Sequence, residues 1–85
     1  MIKIWHDTAW DDYIGWQSED KKTVRKINAL VKDIERNGLN CVGKPEKLKY
    51  LPGYSVKIDG GNRLVFDIID NKLEIYACKG HYGDK

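Results

Sequence analysis

Tyr54-Ser-Val-Lys-Ile-Asp59, Gly60-Gly-Asn62, Arg63-Leu-Val-Phe-Asp-Ile-Ile69, Asp70-Asn71 and Lys72-Leu-Glu-Ile-Tyr-Ala-Cys-Lys79 follow one another without interruption. Three runs rich in β-branched and aromatic residues are separated by Gly-Gly-Asn and Asp-Asn, both of which favour turns with positive φ. This pattern predicts an antiparallel meander. In the last run Leu73, Ile75 and Ala77 alternate with Glu74 and Tyr76, so one face is core. The middle run is apolar on both faces, which predicts a central strand covered at least in part on both sides. Arg63 opens that strand, and His81-Tyr82 follow the last one. Across an antiparallel pair the start of one strand lies near the end of the next, so Arg63 and His81 are expected at one rim.

Upstream, Ile2, Ile4 and Trp5 read as a short first strand. Asp7 or Thr8 is the expected N-cap of a helix over 8–16, with Trp10, Tyr13 and Ile14 on one side. Ser18-Glu19-Asp20 breaks that pattern and can cap a second helix from Lys21 to Asn37. There Val24, Ile27, Val31 and Ile34, with Leu30 beside them, form an apolar stripe suited to packing on a sheet. Asn37-Gly38 ends it, glycine being preferred just past a helix end. Residues 39–52, punctuated by Gly43, Pro45 and Pro52, read as loop. The order β-α-α-β-β-β predicts an α+β domain: a small antiparallel sheet with two N-terminal helices on one face. The first strand joins either edge.

The 85 residues make a single domain with a modest core, aided by three Trp, five Tyr and one Phe. Cys41 and Cys78 form no disulfide framework, and no leader or membrane-length apolar run is evident. The chain therefore reads as a reduced, cytoplasmic protein. The net charge of +2 is unevenly spread. Residues 1–19 carry one Lys and four acids, whereas 20–57 carry ten Lys or Arg against four acids. The basic centre suits either an anionic polymer or plain solvation of a helix face.

No metal-ligand spacing, no phosphate-binding glycine loop and no nucleophile motif is present. What remains is Glu46, Arg63, His81 and Tyr82, with Lys44, Lys47, Lys49 and Lys57 around them. That set suits metal-free RNA cleavage. A carboxylate base, kept ionised by neighbouring lysines, removes the 2′-hydroxyl proton. A histidine acid protonates the leaving 5′-oxygen, and an arginine fork matches the charge building on phosphate. Tyr82 can stack on a base. Each residue also has a plainer reading. Glu46 is then a surface ion-pair carboxylate, Arg63 a strand flank, His81 a tail residue, Tyr82 a capping aromatic, and the lysines ordinary surface. Pattern alone reaches no further than a small α+β domain with a basic side.

The chain also resembles the YoeB (Txe) family of bacterial toxins, within the larger RelE/ParE-type fold. The resemblance rests on Ile4-Trp5, Trp10-Asp11-Asp12-Tyr13, Trp16-Gln17, Lys26-Ile27-Asn28, Leu30-Val31-Lys32-Asp33, Gly43-Lys44-Pro45-Glu46, Leu48-Lys49, Arg63-Leu64-Val65 and His81-Tyr82. It implies a ribosome-dependent mRNA interferase that cuts the A-site codon without a metal or other cofactor. The implied partners are the ribosome, mRNA and a YefM/Phd-type antitoxin, with no membrane. It also makes a homodimer an expectation that the residues do not specify. Carried over, Glu46 matches the family's general base, Arg63 its transition-state arginine, His81 the general acid and Tyr82 the following aromatic, with Lys49 in a basic loop position. The chain departs from the family at Ser55-Val56-Lys57, where consecutive arginines are frequent. It also departs at Lys79-Gly80, where an Arg is common, and in Gly83-Asp84-Lys85 beyond the His-Tyr pair. Two other classes stay open: a toxin of the same fold that inhibits a protein such as DNA gyrase, and an RNA-binding module without catalysis. Intact mRNA with inhibited supercoiling marks the first. Ribosome binding without scission marks the second.

Overall fold

The computed structural model describes residues 1–80. The elements are β1 (Ile2–Trp5), α1 (Asp7–Glu19), α2 (Lys21–Asn37), a 3₁₀ turn (Gly38–Asn40), β2 (Glu46–Lys47), β3 (Tyr54–Lys57), β4 (Arg63–Ile69) and β5 (Lys72–Ala77). One five-stranded sheet has the order β1-β5-β4-β3-β2. The meander is as expected, with Lys57 opposite Arg63 and Ile69 opposite Lys72. Asp70 and Asn71 both take positive φ, 51° and 61°, which matches a two-residue hairpin to the twist of its strands. The Gly60–Asn62 turn differs from the expectation, because none of its residues has positive φ. The Asp59 carboxylate builds it instead, accepting from the Gly61 N–H at 2.8 Å and from the Asn62 amide at 3.0 Å.

The sheet is mixed. β2, β3, β4 and β5 pair antiparallel, and β1 lies parallel to β5 at the edge, Ile2 opposite Lys72 through Trp5 opposite Ile75. The cause lies in 39–52, read from its glycines and prolines as loop alone. It contains β2, which runs antiparallel to β3, with Glu46 opposite Ser55. That strand adds one reversal of direction, so the chain enters the meander in the sense that sets β5 parallel to β1.

α2 forms as its stripe predicts. Asp20 caps it, accepting from the Lys22 N–H at 3.0 Å and the Thr23 hydroxyl at 2.9 Å. Ile27, Leu30, Val31 and Ile34 are buried against Val56, Leu64, Phe66, Leu73 and Ile75, and Val24 packs at the margin.

α1 departs from the expectation in three ways. It starts at Asp7, with His6 as N-cap and no side-chain cap. His6 still belongs to the sheet: its N–H donates to the Ile75 carbonyl at 2.9 Å, and its own carbonyl accepts from Trp10 at 2.9 Å. The helix also continues through Gly15 to Glu19. Finally, of the trio Trp10, Tyr13 and Ile14 only Tyr13 packs against the core; the buried residues of the helix are Ala9 and Trp16, with Asp12 half-buried between them. Trp10 is 48% and Ile14 46% exposed. The reason is polar. Cys78, just past β5, has backbone groups the sheet leaves unpaired. Asp12 accepts its N–H at 3.0 Å, and the Trp16 indole donates to its carbonyl at 2.9 Å. Leaving two such groups unmade under a helix costs ~1–3 kcal/mol each, enough to offset the apolar burial given up at a half-exposed Trp10. Trp5, Trp10 and Tyr13 instead cluster at the margin, Trp5 and Tyr13 with ring centroids 4.7 Å apart.

Cys41 and Cys78 are both buried and free. No described helix is long and apolar enough to cross a membrane.

Candidate active site

Alternation along β3 and β4 sends Val56, Leu64 and Phe66 toward the helices and Ser55, Lys57, Arg63 and Val65 to the other face. A register shift between Val65 and Phe66 pairs Ala77 with Val65. Ala77 thereby joins the row Glu46, Ser55, Val65, Ala77 across β2 to β5, rather than the main core that holds Leu73 and Ile75.

Arg63 lies along this face. Its Nε donates to the Ser55 hydroxyl at 2.9 Å, and Nη2 donates to Glu46 Oε1. Ser55 is buried at 5% exposure, so it holds the guanidinium from below. The Glu46 side chain is 71% exposed against 21% for Arg63, which leaves the carboxylate open to solvent. An ion pair so exposed contributes only ~0–1 kcal/mol, so an incoming phosphate can compete for the guanidinium. Among the described residues two of its N–H donors are engaged, of the five an arginine carries.

Glu46 is presented by a two-residue strand that needs support. The Leu48 N–H donates to the Gly53 carbonyl at 3.0 Å, closing the loop behind it. Gly53 has φ +113°, and a Cβ there would lie 2.7 Å from the Phe66 carbonyl oxygen. Only glycine lets this loop lie on β4.

At the rim the Arg63 N–H donates to the Gly80 carbonyl at 3.1 Å, and the Gly80 N–H donates to Asn62 Oδ1 at 2.8 Å. Asn62 is braced in turn by Asp59. The last described residue is thus tied beside Arg63. His81 and Tyr82 lie outside the described residues.

Of the expected cations, Lys57 is the strand partner of Arg63 and shares its side of the sheet. Lys44, at φ 55°, leads into β2 and is exposed, and Lys49 is exposed in the following loop. Lys47 follows Glu46 and so points the other way; its ammonium lies 5.4 Å from the centre of the Tyr54 ring. The fold brings together Glu46, Arg63 and Lys57, and it adds Ser55, which sequence reasoning did not single out. The signal was there: Ser55 stands two residues before Lys57, a small hydroxyl between Tyr54 and Val56 on the side that Arg63 takes. Among the described residues no three His, Cys, Asp or Glu side chains gather closely enough to hold a metal ion.

Residues 5–82 match the family described as YoeB-like toxin of bacterial type II toxin–antitoxin system. Toxin YoeB of Escherichia coli K12 is 47% identical over 84 residues, covering 96% of this chain and 100% of that protein. A solved YoeB/ParE toxin from Agrobacterium tumefaciens is 36% identical, with a TM-score of 0.90 over 96% of this chain and 100% of its own. YoeB of Staphylococcus aureus, solved as a dimer, is 46% identical, with a TM-score of 0.87 over 96% of this chain and 98% of its own. The same protein in a YoeB–YefM complex aligns with a TM-score of 0.86 at 46% identity, over the same 96% and 98%.

Proposed function

The chain belongs to the YoeB-like toxins of bacterial type II toxin–antitoxin systems, and from that premise we propose that it is a ribosome-dependent mRNA interferase. The observation that carries this reading is the pairing of an exposed Glu46 with a Ser55-braced Arg63 on the sheet face away from the helices. An mRNA phosphate that takes the guanidinium from Glu46 leaves a free carboxylate beside it. Glu46 then accepts the 2′-hydroxyl proton as that oxygen attacks phosphorus. Arg63 donates to the non-bridging oxygens as charge builds on them. His81, one peptide link beyond Gly80, gives its proton to the departing 5′-oxygen as the P–O bond breaks. The products are a 2′,3′-cyclic phosphate and a free 5′-hydroxyl. Tyr82 stacks on a neighbouring base. Lys57 beside Arg63, with Lys44 and Lys49 from the loop, contacts the RNA backbone. Lys47, over Tyr54, is placed for packing more than for RNA.

The Staphylococcus aureus relative is seen both as a dimer and with YefM. By analogy this chain takes a YefM-type antitoxin and forms a homodimer. Its site of action is the ribosomal A site.

Mapping mRNA 5′ ends by primer extension in a translating bacterial extract tests the reading. New ends inside A-site codons are expected with the wild type. They should be absent with His81→Ala, strongly reduced with Glu46→Ala, and absent on naked RNA. Intact mRNA, or full scission by both variants, overturns the assignment. Intact mRNA together with inhibited gyrase supercoiling replaces it with a protein-directed toxin.

A further inference from the structure

We propose that the solvent face of α2 is a second RNA-docking surface, on the side of the molecule opposite Glu46 and Arg63, that grips the phosphate backbone of ribosomal RNA. The proposal rests on the ribosome-directed reading above and adds a surface to it.

At ~100° per residue, Lys21, Arg25, Lys32 and Arg36 fall within an arc of about 60°. Lys22 and Lys26 widen it to about 140°, centred roughly opposite the buried Ile27, Leu30 and Ile34. The stripe is ~22 Å long at ~1.5 Å per residue. Of the two acids of α2, Asp33 falls inside the wider arc and Glu35 lies near Lys32, but both carboxylates are bound by other groups. Glu35 accepts from Lys3 at 2.6 Å, and Asp33 accepts from the Asn37 amide and the Val42 N–H, each at 2.8 Å. None of the six cations has an ion-pair partner among the described residues.

The arrangement works against the isolated helix. Lys21 with Arg25, Lys22 with Lys26, and Lys32 with Arg36 are like charges four apart, each mildly destabilising. Lys21 and Lys22 also sit in the first turn, at the positive end of the helix dipole. A merely solvated face interleaves acids and bases. This one concentrates a single sign, as a polyanion site does.

An RNA backbone fits better than an acidic protein segment. A segment that folds on its target needs apolar anchors. Between the cations the exposed positions are Asn28 and Ala29, and among the described residues the exposed large apolar side chains lie outside α2. Interfaces with nucleic acid are the more polar and the more positive kind. A nuclease enclosed in a ribosomal cleft meets RNA on both sides. Cations on the helical side therefore add affinity without entering the chemistry.

The test compares wild type with the Lys21→Gln, Arg25→Gln, Lys32→Gln, Arg36→Gln variant. Binding to mRNA-free 70S ribosomes is measured from 0.05 to 0.5 M KCl, beside binding to a short RNA duplex and to a YefM-type antitoxin. At ~0.7–0.9 in log K per decade of salt for each phosphate contact, the variant's slope should be shallower by about three. Its ribosome affinity at 0.1 M should be lower by roughly a hundredfold or more. Its Tm should hold or rise, and antitoxin affinity should be unchanged. Equal ribosome affinity and slope for the two proteins overturns the proposal, even if wild type cuts A-site codons. Loss of antitoxin binding with ribosome binding intact also overturns it and assigns the face to the protein partner. If wild type neither binds ribosomes nor cuts mRNA, the functional reading fails by itself. The duplex then decides the stripe: weaker, less salt-dependent binding by the variant supports it, and equal binding overturns it.

Discussion

Ser55→Ala removes one hydroxyl from beneath Arg63. The lost bond runs from a charged donor to a neutral acceptor at 2.9 Å. Bonds to charged groups contribute ~1.5–3 kcal/mol. The Arg63 side chain is 21% exposed, so water partly replaces the acceptor; about 1–2 kcal/mol is the fair expectation. The Nε–H left behind turns partly to water, so only part of this should appear as unfolding. It should appear as a guanidinium that no longer points at the phosphate. At ~1.4 kcal/mol per tenfold, scission in a translating extract should slow about 5- to 30-fold. The loss should fall on kcat more than on KM, because Arg63 acts as charge builds. Ser55→Thr keeps the oxygen and should recover much of the rate. Ser55→Ala with wild-type kcat and an unchanged Tm refutes a positioning role. A Tm collapse in step with the rate makes Ser55 merely structural.

Asn62→Ala unties Gly80 from the rim. Scission should fall more than tenfold, since ~1 Å of misplacement can cost ~10² in rate, while the Tm moves only a few degrees; an unchanged rate would detach Asn62 from the chemistry. Gly53→Ala forces a Cβ to 2.7 Å from the Phe66 carbonyl at φ +113°. It should destabilise by ~1–3 kcal/mol, read by urea unfolding, and a neutral result would mean the loop moves freely off β4. Asp20 is held below its ordinary 3.8 by the Thr23 hydroxyl first and then by the Lys22 N–H. A depressed carboxyl stabilises the fold above 3.8 and loses that contribution as pH falls through its folded value. The Tm gap between wild type and Asp20→Ala should therefore close below about pH 4; a gap that widens there would contradict the cap. Burial, then Asp12, pushes the Cys78 thiol up to about 12, and burial raises Cys41 as well. Neither should react with a thiol reagent at pH 8 until urea is added, and rapid native labelling at Cys78 would disprove its burial under α1.

The sequence by itself determined what local chemistry controls. The meander follows from alternation in 54–79 and from turn residues such as Asp70-Asn71. α2 follows from a 3.6-residue stripe closed by Asp20 and Gly38, and the family follows from short motifs at fixed spacing. Glu46 and Arg63 were legible as chemical types. Three things needed the tertiary structure. The inner face of α1 was set by the Cys78 backbone, 66 residues from Asp12 in sequence, whose unpaired groups outrank the apolar pattern of Trp10 and Ile14. The parallel sense of β1 and β5 hung on the two-residue β2, too short to show any period. The grip of Ser55 and Glu46 on Arg63 required three strands to be in register. Periodicity and turn propensity act over a few residues, whereas backbone satisfaction and strand register are settled only when distant segments meet.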